Sequence, residues 1–286
     1  MAMSAHAPGN NADGAGDPSR ILDAAGFVHL HVHSSYSLRE GAMPVAKLAK
    51  LAVADAMPAL AITDSNNLFG ALEFSEKLTK EGVQPIPGLQ IAIDFQDGTE
   101  RAPRGEASDA SIVLLATDAA GYLNLVHIAS RAWLDPEPGD PPHVAVAGLD
   151  GRTNGLIALT GGPSGPLDRA FAHDRAQLAF ARAAALDKLF PSRLYVEIQR
   201  HGLASERAIE PRLLDLAYRT SLPIVAANEV FFAVATDYEA HDALICIADG
   251  TVVSDAARRQ LSPEHRFKTR AEMIALFANL PEAPRN

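Results

Sequence analysis

The feature that most constrains this chain is an alternation between two kinds of segment. Short apolar runs rich in Val, Ile, Leu and Ala give way to longer stretches in which apolar residues recur every three or four positions. The first kind reads as strand and the second as helix. Candidate strands are Phe27 to His31, Ala59 to Thr63, Gln90 to Phe95, Ile112 to Ala116, Leu156 to Thr160, Leu194 to Gln199 and Pro223 to Ala226. Candidate helices are Val45 to Ala54, Leu68 to Glu81, Ala119 to Trp133, Arg175 to Leu189, Ser205 to Thr220, Tyr238 to Ala248 and Arg270 to Ala278. Strand and helix alternating about seven times predict an α/β fold whose parallel sheet closes into a barrel. Runs such as "ALAIT" and "IVLLAT" suit strands buried on both faces.

The joints carry matching punctuation. Pro44 stands at the start of "PVAKLAKLA", where a missing amide hydrogen costs least. "TDSNNLFGALEF" ends a strand and predicts a helix opened by Asp and Asn. The proline-rich "DPEPGDPPH" at 135–143 reads as a surface loop. From Asp237 onward the period is helical, which predicts a flank outside the barrel. The opening "MAMSAHAPGNNADGAGDPSR" lacks both halves of a secretion signal and reads as a disordered tail over 1–26, with a cytoplasmic address following from it. The domain is then 27–286, with the barrel over about 27–235 and the helical flank over 236–286.

Charge and cysteine content exclude several classes. The formal net charge of −10 repels a phosphate backbone at long range, so contact with DNA must be local or supplied by other parts of an assembly. No run approaches the roughly 18 apolar residues of a membrane span. The single cysteine, Cys246 in "ALICIA", rules out an internal disulfide framework and reads as a buried structural thiol.

Chemistry in such a barrel gathers at the carboxyl ends of its strands. The stretch "FVHLHVHSSYS" places His29, His31 and His33 at alternate positions, which in a strand share one face. Imidazoles gathered on one face suit zinc, iron or manganese. Asp64, Gln90, Ser111, His201 and Glu229 stand at or beside further strand ends. Histidines and carboxylates converging on one mouth are what a multinuclear phosphoester-hydrolysing site needs, with carboxylates bridging ions about 3.5–4 Å apart.

The segments "FVHLHVHSSYSLREGA", "PALAITDSNNLFGALEFSEKL", "QPIPGLQ", "GYLNLVHIAS", "YVEIQRHG" and "LPIVAANEVFF", in that order, resemble the polymerase and histidinol phosphatase (PHP) domain, in the form that begins the alpha subunit of bacterial DNA polymerase III. The resemblance runs from about Phe27 to the end. It implies a distorted, TIM-like (βα)7 barrel and, in metal-bearing members, nine ligands for three ions serving phosphoester hydrolysis or 3′-5′ exonuclease activity. By the same resemblance the parent is a DNA-directed DNA polymerase, a nucleotidyltransferase whose catalytic carboxylates lie in a palm domain after Asn286. The chain is then a piece of a longer subunit.

Measured against that pattern, His31, His33, Asp64 and His201 keep ligand positions and Glu229 lengthens an expected aspartate. Ser65, Gln90, Ser111 and Phe231 stand where a histidine, a bridging glutamate and two further histidines are expected. Without the bridging carboxylate, neighbouring cations repel with little to offset them. The expectation is a degenerate site with no catalytic residues, holding no metal or one residual zinc or manganese ion on some of His31, His33, Asp64, His201 and Glu229. The alternative for these residues is a polar, hydrogen-bonded lining. The implied role is a scaffold for the rest of the alpha subunit and a docking surface for the proofreading exonuclease subunit, with DNA reached through the full-length polymerase and no membrane partner. The rival role is an active metal-dependent phosphoesterase or 3′-5′ exonuclease.

Overall fold

The computed structural model describes residues 26–97, 110–255 and 258–286. The predicted tail, apart from Gly26, lies outside the described residues. One seven-stranded sheet comprises β1 (Ala59–Ile62), β2 (Gln84–Asp94), β3 (Ala110–Ala116), β4 (Val144–Ala145), β5 (Leu156–Leu159), β6 (Leu194–Gln199) and β7 (Ile224–Ala227). Its order is β1-β2-β3-β5-β6-β7, with the short β4 paired to the end of β2. Around it lie α1 (Val45–Ala54), α2 (Ala71–Lys80), α3 (Ala119–Leu134), α4 (Pro166–Ala172), α5 (Ala176–Leu189), α6 (Ala204–Thr220), α7 (Tyr238–Asp249) and α8 (Arg270–Leu276). The two short elements β4 and α4 carry too few residues to show a period and escape the sequence reading.

The sheet is not wholly parallel. β3 runs antiparallel to both β2 and β5, while β1/β2, β5/β6 and β6/β7 are parallel. A parallel return requires a crossover, usually a helix, and the sequence between Phe95 and Ile112 offers no helical period to supply one. An antiparallel return is then the direct solution.

The predicted first strand, Phe27 to His31, is also corrected. Those residues form no regular strand; the only bridge there joins Val32 to Val230. The extended segment nevertheless closes the sheet. On one side His29 and Val32 carbonyls accept from Ala61 N (2.9 Å) and Thr63 N (2.8 Å) beside β1. On the other, His33 N donates to the Val230 carbonyl (2.9 Å) and Val230 N to the His31 carbonyl (3.2 Å), just past β7. The result is a distorted α/β barrel with a helical flank after residue 237.

Period-two alternation divides the strands. Leu89, Ile91 and Ile93 of β2, Ile112 and Leu114 of β3, and Leu156 and Ala158 of β5 face outward into one helix-covered core. Val196 and Ile198 of β6 pack outward against α4, α5, α6 and α8. Facing inward, Ala61, Val113, Leu115, Leu159 and Val225 fill the end where the parallel strands begin. The inward positions at the other end are polar: Gln90, Glu197 and Gln199 are all buried. The barrel therefore has an apolar floor and a polar mouth at the carboxyl ends. No helix among the described residues is long and apolar enough to cross a membrane.

Candidate metal centre at the barrel mouth

Three of the residues singled out by sequence converge. One ligand atom each from His31, His33 and Glu229 lies within 4.8 Å of the other two, and all three side chains are buried. His31 Nε2 is 3.6 Å and His33 Nε2 3.3 Å from Glu229 Oε1. The closing segment brings the two histidines, and the chain leaving β7 brings the glutamate.

The tautomers follow from the hydrogen-bond network, by assignment rather than from located hydrogens. Asp64 accepts from Ser34 N (2.7 Å), Ser34 Oγ (2.8 Å) and Ser37 Oγ (2.6 Å). The one hydroxyl hydrogen of Ser37 thus goes to Asp64, so its oxygen accepts from His33 Nδ1 at 2.9 Å. His31 Nδ1 donates to Glu197 Oε1 at 2.8 Å. Both imidazoles then face Glu229 through Nε2, with His33 Nε2 in hydrogen-bond contact with Glu229 Oε1 at 3.3 Å, and His31 Nε2 is buried with no hydrogen-bond partner.

Without an ion, the same carboxylates favour a proton on His31, which an incoming cation must displace. Burial opposes a charge on His31, but Glu197 and then Glu229 outweigh it and raise its pKa to about 9. Burial likewise opposes ionisation of Glu229; the charge of His31 and the His33 hydrogen bond overcome it and hold the carboxyl well below the ordinary range. Burial pushes Asp168 well above the usual carboxylate value, with Glu197 adding to the effect, and its Oδ2 has no partner.

The donor set fits one divalent ion. A tetrahedral zinc 2.0–2.1 Å from each donor sets the donors roughly 3.3–3.5 Å apart, close to the spacing around Glu229. Two imidazoles and one carboxylate are also a set that zinc accepts with a fourth position open.

The remaining predicted residues lie around this triad. Asp64 spends both oxygens on the 34–37 loop; the predicted helix start is instead at Gly70, and Asn67 caps a turn through Phe69 N (3.0 Å). His201 donates from Nδ1 to Glu206 Oε1 (2.7 Å), stacks on His265 (centroids 3.7 Å apart, planes 9°), and leaves Nε2 buried without a partner. Parallel stacked rings cannot both point a lone pair at one ion between them, because a ligating lone pair lies in the ring plane. His29 turns out of the mouth: Nε2 meets the Lys268 carbonyl at 2.7 Å, and its ring packs on Phe27 and Phe267. Alternation breaks at Leu30 and His31, since Leu30 packs on the interior cluster. The shared face expected of all three histidines therefore reduces to two.

At the positions read as lost ligands, Gln90 Nε2 donates to Ser111 Oγ (3.0 Å) and Glu229 Oε1 (3.5 Å). Ser65 Oγ donates to Glu40 Oε2 (2.7 Å). Phe231 stacks flat on His33, with centroids 4.4 Å apart and planes at 1°. Two further residues matter here: Glu197, which reads from sequence as solvated or salt-bridged, and His265, which the sequence reading passed over. Glu197 was legible, because it alternates inward with Tyr195 and Gln199 along β6; His265 carried no local signal and arrives from a distant loop.

Residues 29–201 match the PHP domain family. The chain is similar to the DNA polymerase III subunit alpha of Caulobacter vibrioides (45% identical over 263 residues, 91% of this chain and 23% of the relative) and of Rickettsia bellii (34% over 260 residues, 91% and 21%). It thus spans less than a quarter of the length of these relatives. Among solved structures, an amidohydrolase from Chromobacterium violaceum aligns with a TM-score of 0.45 at 16% identity, covering 87% of this chain and 96% of its own. With more than half of its residues inside the matched span, the chain belongs to the PHP domain family.

Proposed function

We propose that this chain is the PHP domain of a bacterial DNA polymerase III alpha subunit, acting there as a non-hydrolytic scaffold and as the docking surface for a proofreading exonuclease subunit. The observation that carries the reading is similarity to alpha subunits across 91% of the chain. Nucleotidyl transfer and DNA binding fall to other parts of that subunit, in keeping with the net charge of −10. Exposed Phe69, Leu72, Trp133 and Leu134 on the outer layer support a docking role.

The mouth holds one divalent ion, zinc or manganese, on His31, His33 and Glu229, with Asp64 and His201 as outer partners. Bound there, the ion supplies Lewis acidity and ties the closing segment to the end of β7. A second ion lacks a bridging carboxylate, because Gln90 presents an amide to Glu229 and Phe231 covers His33. Among the described residues, Arg200 is committed to Glu210, Lys268 to Asn228 and Glu264, and Arg259 to Glu40.

Calorimetry with the proofreading exonuclease subunit, metal analysis and a labelled-primer degradation assay test the proposal together. The expected results are micromolar or tighter association, one ion per chain and an intact primer. No association overturns the docking role. Metal-dependent primer cleavage lost in Asp64→Asn overturns the non-hydrolytic reading in favour of an active exonuclease.

A further inference from the structure

We propose that Glu197 is the positioning residue of the mouth, fixing His31 through Nδ1 so that Nε2 meets a divalent ion. The proposal rests on the one-ion reading above. Glu197 is fully buried and is not one of the converging ligands. Its Oε1 lies 2.8 Å from His31 Nδ1, which fixes the hydrogen there and leaves Nε2 buried without a partner. A carboxylate behind a ligating imidazole sets the ring's orientation and raises its basicity.

The surroundings hold Glu197 as firmly as Glu197 holds His31. Its Oε2 accepts from Gly161 N (3.0 Å), its Oε1 from Gln199 Nε2 (2.6 Å), and its own backbone N donates to Thr160 Oγ1 (3.0 Å). The turn that supplies these contacts admits only glycine at two places. Gly161 has φ +84°, and a Cβ there would lie 2.0 Å from the Ser111 carbonyl oxygen. Gly162 has φ +56°, and a Cβ there would lie 2.4 Å from the Gln199 amide nitrogen. The glycine pair thus lets an amide reach one oxygen of Glu197 and leaves room for the amide that reaches the other. Two carboxylates, Glu197 and Glu229, flank His31, and their summed charge balances one divalent cation.

Zinc affinity measured by chelator competition, with the visible spectrum of bound cobalt(II) as a second readout, tests this on the whole chain. Glu197→Gln keeps the shape and removes the charge. It is expected to bind zinc 10–100-fold more weakly and to shift the cobalt bands, with the far-ultraviolet circular dichroism unchanged. Gln199→Met, which removes the amide that meets Glu197 Oε1 (2.6 Å) and His31 Nδ1 (3.3 Å), is expected to weaken binding several-fold and serves if Glu197→Gln does not fold. Zinc affinities of the folded variants within twofold of wild type overturn the role of Glu197 and leave the one-ion reading intact. Failure of the wild type to take up zinc or cobalt overturns both.

Discussion

At the residue scale, the mouth is governed by which polar atoms are already spent. His31 keeps Nε2 without a partner and His33 Nε2 meets only Glu229, whereas Asp64 and the Nδ1 of His201 are committed to neighbours outside the triad. Replacement of His31, His33 or Glu229 by Ala is therefore expected to abolish zinc binding in equilibrium dialysis, and His201→Ala to leave it within a few-fold of wild type. In metal-free protein Glu229→Ala also removes one of the two carboxylates that hold the His31 charge, which predicts a loss of about 1–3 kcal/mol in urea unfolding. His265 makes a separate prediction. Burial, aided by the charge of His201, lowers its pKa from 6.5 to about 2. Below pH 6.5 the unfolded chain takes up a proton that the folded chain refuses. The contribution of His265 is thus complete above 6.5 and falls by up to about 1.4 kcal/mol per pH unit as the solution is acidified. The stability advantage of wild type over His265→Gln is expected to shrink between pH 6.5 and 4.5, and a constant difference across that range refutes the assignment.

At the element scale, backbone contacts decide register as much as side chains do. The amphipathic helices follow directly from their period: Val45, Leu48, Ala49 and Ala52 form the buried stripe of α1, at the spacing that their sequence predicts. In α3, Asp118 caps the first turn through Gly121 N (2.8 Å), and Gly121 itself lies against the backbone of the 151–155 turn. A Cβ on Gly121 would come 1.8 Å from the Gly155 carbonyl oxygen, while one on Gly148 meets nothing within 4 Å. Gly121→Ala is expected to lower stability by about 1–3 kcal/mol, and Gly148→Ala by less than about 0.5, in paired denaturant titrations. Strand direction was less legible than strand existence. A β3 run reads the same parallel or antiparallel, because its outward Ile112 and Leu114 and inward Val113 and Leu115 are buried either way.

At the scale of the whole molecule, an ion at the mouth joins the two margins of the barrel, since its ligands come from the closing segment and from the chain after β7. Binding to the folded state alone stabilises it by about 2.7 kcal/mol at a hundredfold excess over Kd. For a domain of this size that is roughly 5–10 °C in Tm. Scanning calorimetry with zinc is expected to show that rise in wild type and none in His33→Ala. The amino-acid sequence by itself determined the α/β alternation, the helix faces, the polar strand ends and the motifs of the PHP family, because each depends on local period or on residues adjacent in the chain. Only the tertiary structure decided which polar residues meet. It turned His29 outward by a break in alternation, spent Asp64 on the 34–37 loop, and brought Glu197 and His265 to the mouth from distant segments. The physical reason is that a ligand needs a free lone pair at a defined distance, and whether a buried oxygen or nitrogen keeps one depends on neighbours that no local pattern specifies.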